Sequence, residues 1–143
     1  MESFDEPRIQ GTPLYLGVIG KTESLNKQTL ADCILHPLVS VWKRLPDKIL
    51  LPTEGTSSAY LSIWAERNGI ETQSLDANYV KLGRKAGFLR DAMIAKEATH
   101  LLVFLGTRSQ KNEEMATRET KKGKHVYVVD ATSHGLTEWV LED

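Results

Sequence analysis

Cysteine is almost missing from this 143-residue chain, since Cys33 is the one cysteine in it. A single cysteine excludes an internal disulfide and is typical of a reducing compartment, so we expect a cytoplasmic protein. Cys33 lies within an apolar helical pattern. That position predicts a packed thiol and not a nucleophile.

An excess of either charge is also missing, because the formal net charge is -1. This balance gives no indication of nucleic acid or of an acidic membrane surface as a partner. No apolar run approaches the roughly 20 residues that cross a bilayer. The N-terminal residues MESFDEPRIQGTP are too polar and acidic for a secretory signal. We therefore expect no membrane partner and no nucleic-acid partner.

Metal-ligand spacing is the third feature that the sequence lacks. The histidines are scattered and do not form the short paired spacings of metal sites. They are His36, His100, His125 and His134. We therefore expect no metal and no other cofactor.

A complete phosphate loop is missing as well, although LGVIGKTES, residues 16–24, resembles one. The loop of NTPases needs G-x-x-x-x-G-K-[ST]. Lys21 and Thr22 follow Gly20 correctly, but Tyr15 stands where the first glycine is required. Because this loop wraps its backbone N–H groups around a phosphate, its length matters, and the NTPase hypothesis is excluded. The remaining pattern is a buried strand that ends in a glycine turn, as at many α/β ligand sites.

Short apolar strands alternate with helical patterns along the rest of the chain. Helices are predicted at 27–45 with an interruption at Pro37, then at 56–68, 86–98 and 113–122, and strands at 14–19, 48–51, 70–75, 100–105 and 126–129. Residues 76–85 are predicted to be a loop, and the tail around Trp139 a helical turn. The alternation predicts an α/β fold, a Rossmann-like three-layer sandwich with a mainly parallel sheet of about five strands. We expect a flexible arm at 1–12 and a single domain at 13–143.

In such sheets the ligand lies beyond the carboxyl ends of the strands, so the loops after the strands are expected to carry the function. These loops are rich in glycine, hydroxyl groups and cations. Helix N-termini favour anions, and arginine offers a planar fork to phosphate, which together predict a site for a small phosphorylated molecule. The candidate ligand-binding residues are Gly20, Lys21, Thr22, Glu54, Gly55, Thr56, Ser57, Gly83, Arg84, Gly87, Arg90, Gly106, Thr107 and Arg108.

Each of these residues also has a simpler explanation. Glycines are common in such turns for steric reasons alone, and exposed lysines and arginines are usually solvated. Thr56 or Ser57 can be a plain helix cap. Glu113 and Glu114 can be acidic residues of a first helical turn. The convergence of these groups, and no single residue, favours a ligand site.

Several stretches resemble the SLOG superfamily, the Rossmann-like group named after the Smf proteins and the Lonely Guy (LOG) enzymes, and in particular its small YspA-like members. GRKAGFLRDAMIAKEATHLLVFL, residues 83–105, is the strongest match. ILLPTEGTSSAYLSIWAERNGIE (49–71) resembles the family's strand, glycine turn and helix. GTRSQKNEEMATRETKKGKHVYVVD (106–130) resembles its glycine loop, helix and final strand. LYLGVIGKTES (14–24) fits the first strand only loosely.

The resemblance implies a pocket for a nucleotide or a nucleotide-derived ligand. LOG enzymes hydrolyse the N-glycosidic bond of nucleoside monophosphates, with an arginine in R-x-x-M and a glutamate after P-G-G-x-G-T. Arg90 matches the first motif. The second is damaged, because Gly106-Thr107 lacks the double glycine and several extra residues separate it from Glu113 and Glu114. The resemblance thus implies Arg90, Glu113 and Glu114 as catalytic candidates. A glutamate would stabilise oxocarbenium character or activate water, and Arg90 would hold phosphate or orient the glutamate.

Three functions follow as hypotheses. The first is a binding module that senses or sequesters a nucleotide-derived molecule, a role proposed for superfamily members in bacterial and phage conflict. The second is a nucleoside-monophosphate N-glycosidase or a related transferase, which the damaged loop disfavours. The third is an interaction protein with a vestigial pocket. Glu54 replaces a family glycine and could bind a ribose hydroxyl or repel a phosphate. We expect a homodimer or a higher homo-oligomer, because a second subunit often completes nucleotide sites in small domains.

Overall fold

The computed structural model describes residues 12–20, 25–83, 85–105, 110–130, 133 and 135–141. Most of the predicted N-terminal arm therefore lies outside the described residues. The strands are β1 Tyr15–Ile19, β2 Lys48–Pro52, β3 Glu71–Leu75, β4 His100–Phe104, β5 His125–Val129 and β6 Leu136–Glu138.

The helices alternate with these strands as the sequence predicts. The first, α1, consists of three consecutive segments, namely an α-helical turn, a π-helical segment and a second α-helical segment. The bounds are Lys27–Thr29, Leu30–Leu35 and His36–Trp42 for α1, Thr56–Arg67 for α2, Tyr79–Leu82 for α3, Lys85–Glu97 for α4 and Gln110–Lys121 for α5.

The described strands form one sheet in the order β3-β2-β1-β4-β5-β6. The first five are parallel, and β6 is antiparallel to β5. This confirms the predicted α/β architecture with a mainly parallel, Rossmann-like sheet. β1 pairs with both β2 and β4, so the chain reverses its direction of strand addition between β1 and β4, which is where ligands bind in open α/β sheets.

The tail is the main error of the predicted topology. Residues Leu136–Glu138 form β6 and not a helical turn, pairing with Tyr127, Val128 and Val129. Asp130 N donates to the carbonyl of Gly135 (3.0 Å), which closes the turn between the strands. The tail thereby covers one edge of β5 with a short antiparallel strand, as is common in mainly parallel sheets.

Helices cover both faces of the sheet, which gives two apolar layers. α1 and α2 bury residues such as Ile34 and Leu61 against one face, and α4 and α5 bury Ile94 and Met115 against the other. Because the central strands are buried on both sides, their residues are apolar at consecutive positions and do not alternate. No helix in the described part of the chain is long and apolar enough to cross a membrane.

Pro37 interrupts α1 as predicted, through a change of helix type. The backbone from Leu30 to Leu35 is π-helical, and His36 N donates to the carbonyl of Ala31. Proline has no N–H to donate and its ring crowds the preceding turn, and the wider π-helical segment ends at Leu35, two residues before Pro37. Cys33 lies in this segment and is exposed, so the prediction of a packed thiol was wrong.

Two helices expose some apolar side chains while they bury others against the sheet. In α4, Ile94 is buried, whereas Leu89 and Met93 are 43% and 57% exposed. In α2, the buried positions include Ser57 and Leu61, and Ile63 is exposed. Apolar side chains outnumber the positions that face the sheet on these helices, so the sequence pattern alone could not select the buried ones.

Candidate functional site

The carboxyl edge of the sheet begins at Gly20, directly after β1. Its φ angle is +79°, and a Cβ there would collide with the carbonyl oxygen of Phe104 at the end of β4. The same carbonyl accepts a hydrogen bond from Asn112 Nδ2 in α5 (3.1 Å). Only glycine fits this backbone conformation and close approach. Gly20 therefore allows the ends of β1 and β4 to lie close together at the point where strand order reverses.

Arg90 of α4 is the best-defined charged group near this edge, and its side chain is 9% exposed. Its Nη1 donates to Glu54 Oε1 (3.1 Å), and its Nε donates to Asp91 Oδ1 (3.1 Å). Nη2 donates to no side chain or carbonyl among the described residues. The two carboxylates fix the plane of the guanidinium and leave this third nitrogen available.

Burial and the charge of the paired group shift the pKa values of Arg90 and Asp91 in opposite directions. Burial lowers the pKa of Arg90, but the carboxylates of Asp91 and Glu54 outweigh it, and the net pKa is raised. Burial raises the pKa of Asp91, and the attraction of Arg90 offsets this only in part. Arg90 therefore remains a cation, and Asp91 is the carboxylate of the cluster that burial disfavours.

Tyr79 of α3 completes the cluster. Its hydroxyl lies 3.5 Å from Glu54 Oε2, and its side chain is half-exposed. Gly87 lies beneath it, since an added Cβ would be 3.2 Å from the Tyr79 hydroxyl and 3.8 Å from Arg90 Nη2. A larger residue at Gly87 would thus crowd both groups. Residues 76–85 were predicted to be a loop, and the structure corrects this with the short helix α3.

The N-terminus of α2 follows Glu54 directly. Gly55 is the N-cap residue, with φ 101° and ψ 149°, and no side chain among the described residues caps the helix. Thr56 is exposed, and Ser57 is buried with an Oγ that has no hydrogen-bond partner among the described residues. The predicted cap by Thr56 or Ser57 was therefore wrong, because both residues lie inside the helix. The first N–H groups of α2 are left without a side-chain acceptor.

A second contact ties the neighbouring strand ends together. Thr53, after β2, donates its hydroxyl to Asp76, after β3. Asp76 adds a third carboxylate to an edge that already holds Glu54 and Asp91, with Arg90 as the cation between the latter two. This part of the edge is richer in carboxylates than the sequence led us to expect.

The catalytic candidates lie in two separate places. Glu113 and Glu114 are exposed on α5 and line a cavity of about 490 Å³ together with Trp139. Trp139 Nε1 donates to Thr117 Oγ1 of α5 (3.1 Å). Arg90 is not among the described residues that line this cavity. The structure thus brings Arg90 to Glu54 and Asp91 and places Glu113 and Glu114 along the outer face of another helix.

The remaining candidates are glycines and residues that lie outside the described part of the chain. Gly83 ends α3 with φ +63°, and open space surrounds its Cβ position, so its conformation alone accounts for glycine there. No group of three or more His, Cys, Asp or Glu side chains able to hold a metal ion occurs among the residues described. The candidates outside them are Lys21, Thr22, Arg84, Gly106, Thr107 and Arg108.

Sequence reasoning missed Asp91 and Asp76 as members of the carboxyl edge, and it did not identify the contacts of Tyr79 and Asn112, which lie in predicted loops after strands. Asp91 follows Arg90 directly, and that adjacency was the one signal available for it. The others lie many residues from their partners, and nothing in the pattern pairs them. No protein-family model, curated protein or solved structure matches this chain. The function of the protein is therefore inferred from the geometry of this edge.

Proposed function

We propose that the protein is a binding module that senses or sequesters a nucleotide or a nucleotide-derived phosphorylated small molecule at the carboxyl edge of its sheet. The observation that carries the proposal is the state of Arg90. Its side chain is almost fully buried, Glu54 and Asp91 fix its orientation, and Nη2 is left without a partner among the described residues. A guanidinium that is already oriented loses little conformational freedom when it binds.

The charges around Arg90 favour different parts of a nucleotide at different positions. Two carboxylates beside Arg90 oppose a phosphate placed directly on the guanidinium. The uncapped N-terminus of α2 offers backbone N–H groups and a positive helix dipole, which suit a phosphate better. Glu54 Oε2 can accept a hydrogen bond from a sugar hydroxyl. The sequence left open whether Glu54 binds a ribose hydroxyl or repels a phosphate. We favour the first alternative, in which Glu54 binds the sugar.

Tyr79 and Arg90 suit the remaining part of such a ligand. The half-exposed ring of Tyr79 presents an aromatic surface on which a base or a sugar can pack. Arg90 Nη2, beside Gly87, can donate to a carbonyl or a ring nitrogen of a base. A nucleotide could thus contact the N-terminus of α2, Glu54 and Arg90 together.

The N-glycosidase hypothesis has less support. It needs a carboxylate near the ribose together with Arg90, and Glu113 and Glu114 line a cavity that Arg90 does not. Glu54 is close to Arg90 but already forms an ion pair with it. The pairing occupies Oε1 of Glu54, and the Tyr79 hydroxyl lies 3.5 Å from Oε2. Binding without catalysis is therefore the function we propose.

We also propose that the protein acts in the cytoplasm as a homodimer. Exposed apolar side chains continue from Tyr79 along α3 and α4, where Val80 is fully exposed and Leu82, Leu89 and Met93 are 42%, 43% and 57% exposed. Clustered apolar surface beside a ligand site is typical of an interaction surface. A second copy on this surface would lie next to Arg90 and could complete the site.

A thermal-shift screen with nucleoside mono-, di- and triphosphates, ADP-ribose and cyclic dinucleotides tests the binding proposal. A ligand that binds the folded state alone raises stability by about 2.7 kcal/mol at a hundredfold excess over Kd, so a clear rise in Tm is expected. Arg90→Ala should abolish the rise. Arg67→Ala, which removes an exposed arginine from the far end of α2, should keep it. No rise with any of these compounds would contradict the proposal and favour a vestigial pocket.

A further inference from the structure

A groove lies between α4 and α5, on the face of the sheet that these two helices cover. Its volume is about 580 Å³, within the usual range for small-molecule sites. Lys96 lies near the end of α4, and Lys124 directly precedes β5. This part of the groove is therefore at the amino edge of the sheet, opposite the edge that carries Glu54.

Cations dominate the lining of this groove. Lys96 comes from α4, Arg118 from α5, and Lys122 and Lys124 from the turn that follows α5. Glu119 is the one carboxylate among the described lining residues. The whole chain has a formal net charge of -1, so this concentration of positive charge is local to the groove.

Glu119 is buried at the base of the groove and forms ion pairs with three of its cations. It is 2% exposed, its Oε1 lies 3.3 Å from Lys124 Nζ, and its Oε2 lies 3.1 Å from Lys122 Nζ and 3.6 Å from Arg118 Nε. Burial raises the pKa of Glu119, but the hydrogen bond from Lys122 and the charge of Lys124 outweigh it and hold the pKa below its ordinary value. The carboxylate therefore stays ionised and fixes the cations around it.

The ammonium group of Lys124 has three partners within the protein. Besides its ion pair with Glu119, its ammonium group donates to the backbone carbonyls of Ala95 and Lys96 at the end of α4. It thus neutralises both the buried carboxylate and the negative end of the helix dipole. The charges of Lys96, Arg118 and Lys122 remain in excess in the groove.

These three cations are exposed enough to contact a ligand. Arg118 is 47% and Lys122 58% exposed, and Lys96 is also exposed. Arg118 contacts Glu119 through Nε, so its two terminal nitrogens can form the bidentate fork that matches phosphate. Phe88, which is half-exposed, and Ala92 form an apolar wall on the α4 side, and low-polarity walls strengthen charge interactions nearby.

We propose that this groove is a second binding site, for a small polyanion that carries two or more phosphate groups. Lys96, Arg118 and Lys122 contact the phosphates, and buried Glu119 positions Arg118 and Lys122. The volume of the groove suits a small molecule and not an extended nucleic-acid strand. The site is independent of the nucleotide site proposed at the carboxyl edge.

Inorganic tripolyphosphate is the probe, titrated by isothermal calorimetry at constant physiological ionic strength. Binding is expected to weaken about fivefold to tenfold in Lys122→Ala and in Lys96→Ala, since a lost charged contact costs roughly 1 kcal/mol or slightly more. Lys121→Ala is the matched control. It removes the same charge from the neighbouring position, but Lys121 lines the cavity with Trp139 and not the groove, so affinity should change less than twofold. Circular dichroism confirms that each variant is folded.

Three results would overturn the proposal. The first is no measurable binding of tripolyphosphate to the wild-type chain. The second is an equal loss in Lys121→Ala and Lys122→Ala, which would mean that the anion responds to overall charge alone. The third is loss of tripolyphosphate binding in Arg90→Ala, which would place the anion at the carboxyl edge. Retained binding in Arg90→Ala supports the groove whether or not nucleotides bind at the other edge.

Discussion

Arg90 shows how much one residue's environment adds to a sequence motif. The motif R-x-x-M identified Arg90 as a candidate, but its partners Glu54 and Asp91 decide what it can do. Glu54 lies 36 positions away in the sequence, and no local pattern relates the two residues. A contact of this kind depends on how α4 crosses the end of β2, and the sequence pattern does not specify it.

Replacing Arg90 with alanine should destabilise the protein at neutral pH. Glu54 and Asp91 would then lose the cation between them, and we expect the free energy of unfolding to fall by roughly 1–3 kcal/mol. Burial already raises the pKa of Asp91, so acidification should protonate this carboxylate and recover part of the loss. Urea denaturation at pH 7 and pH 5 measures both effects. A loss that is the same at both values would contradict this account of Asp91.

Glu119 gives a second prediction at the scale of one residue. Its folded-state pKa is below the ordinary value of 4.5, so its ion pairs contribute stability above that value, and the contribution is lost as pH falls through the folded-state pKa. Glu119→Gln should lower the free energy of unfolding by about 1–2 kcal/mol at pH 7.

The pH dependence of that difference separates the ion pairs from simple packing. Between pH 7 and about pH 5 the difference between the wild-type protein and Glu119→Gln should stay constant, and below the ordinary pKa it should shrink. Chemical denaturation across this range measures it. A difference that persists unchanged at the lowest pH would mean that packing, and not charge, accounts for the effect of Glu119.

At the scale of elements, the sequence predicted the parallel strands well, because burial on both faces alone determines their residue pattern. β1, β2, β4 and β5 are apolar at consecutive positions because they are buried on both faces. The exposed side of α4 was not predictable, since Leu89 and Met93 are as apolar as the buried Ile94. β6 was missed because a three-residue strand has no periodicity that could identify it.

A pair of stacked histidines at the amino ends of β4 and β5 makes the stability of the folded protein depend on pH. The rings of His100 and His125 stack with their centroids 4.7 Å apart, and Trp42 packs edge-on against His100. Burial, and then the charges of His125 and Arg44, lower the pKa of His100 from 6.5 to about 4. His100 is therefore neutral in the folded protein over most of the range in which the unfolded chain binds a proton.

Stability should consequently fall as pH decreases from about 6.5 to 4, because the unfolded state takes up a proton that the folded state does not. The expected loss is about 2 kcal/mol, less than the full pKa difference implies because the ring is partly exposed. His100→Gln should flatten this part of the stability profile. A His100→Gln profile that stays as steep as that of the wild-type protein would contradict the role given to His100.

At the scale of the whole molecule, the proposed homodimer depends on the apolar surface of α3 and α4. Met93→Glu would bring a charge into that interface, and we expect a dimer in sedimentation velocity to become a monomer. Val41→Glu is the control, because Val41 is 66% exposed on α1, which covers the opposite face of the sheet. A wild-type chain that sediments as a monomer at high concentration would refute the dimer.

The proposed function requires the carboxyl edge around Arg90 to bind a nucleotide-derived ligand. Amide chemical-shift mapping on the isotope-labelled chain, titrated with ADP-ribose and with nucleotides, locates such binding. The largest shifts are expected at residues 53–57 and 87–91, where the N-terminus of α2 meets Arg90. Shifts confined to the Trp139 cavity, or no shifts with any of these compounds, would contradict the proposed function.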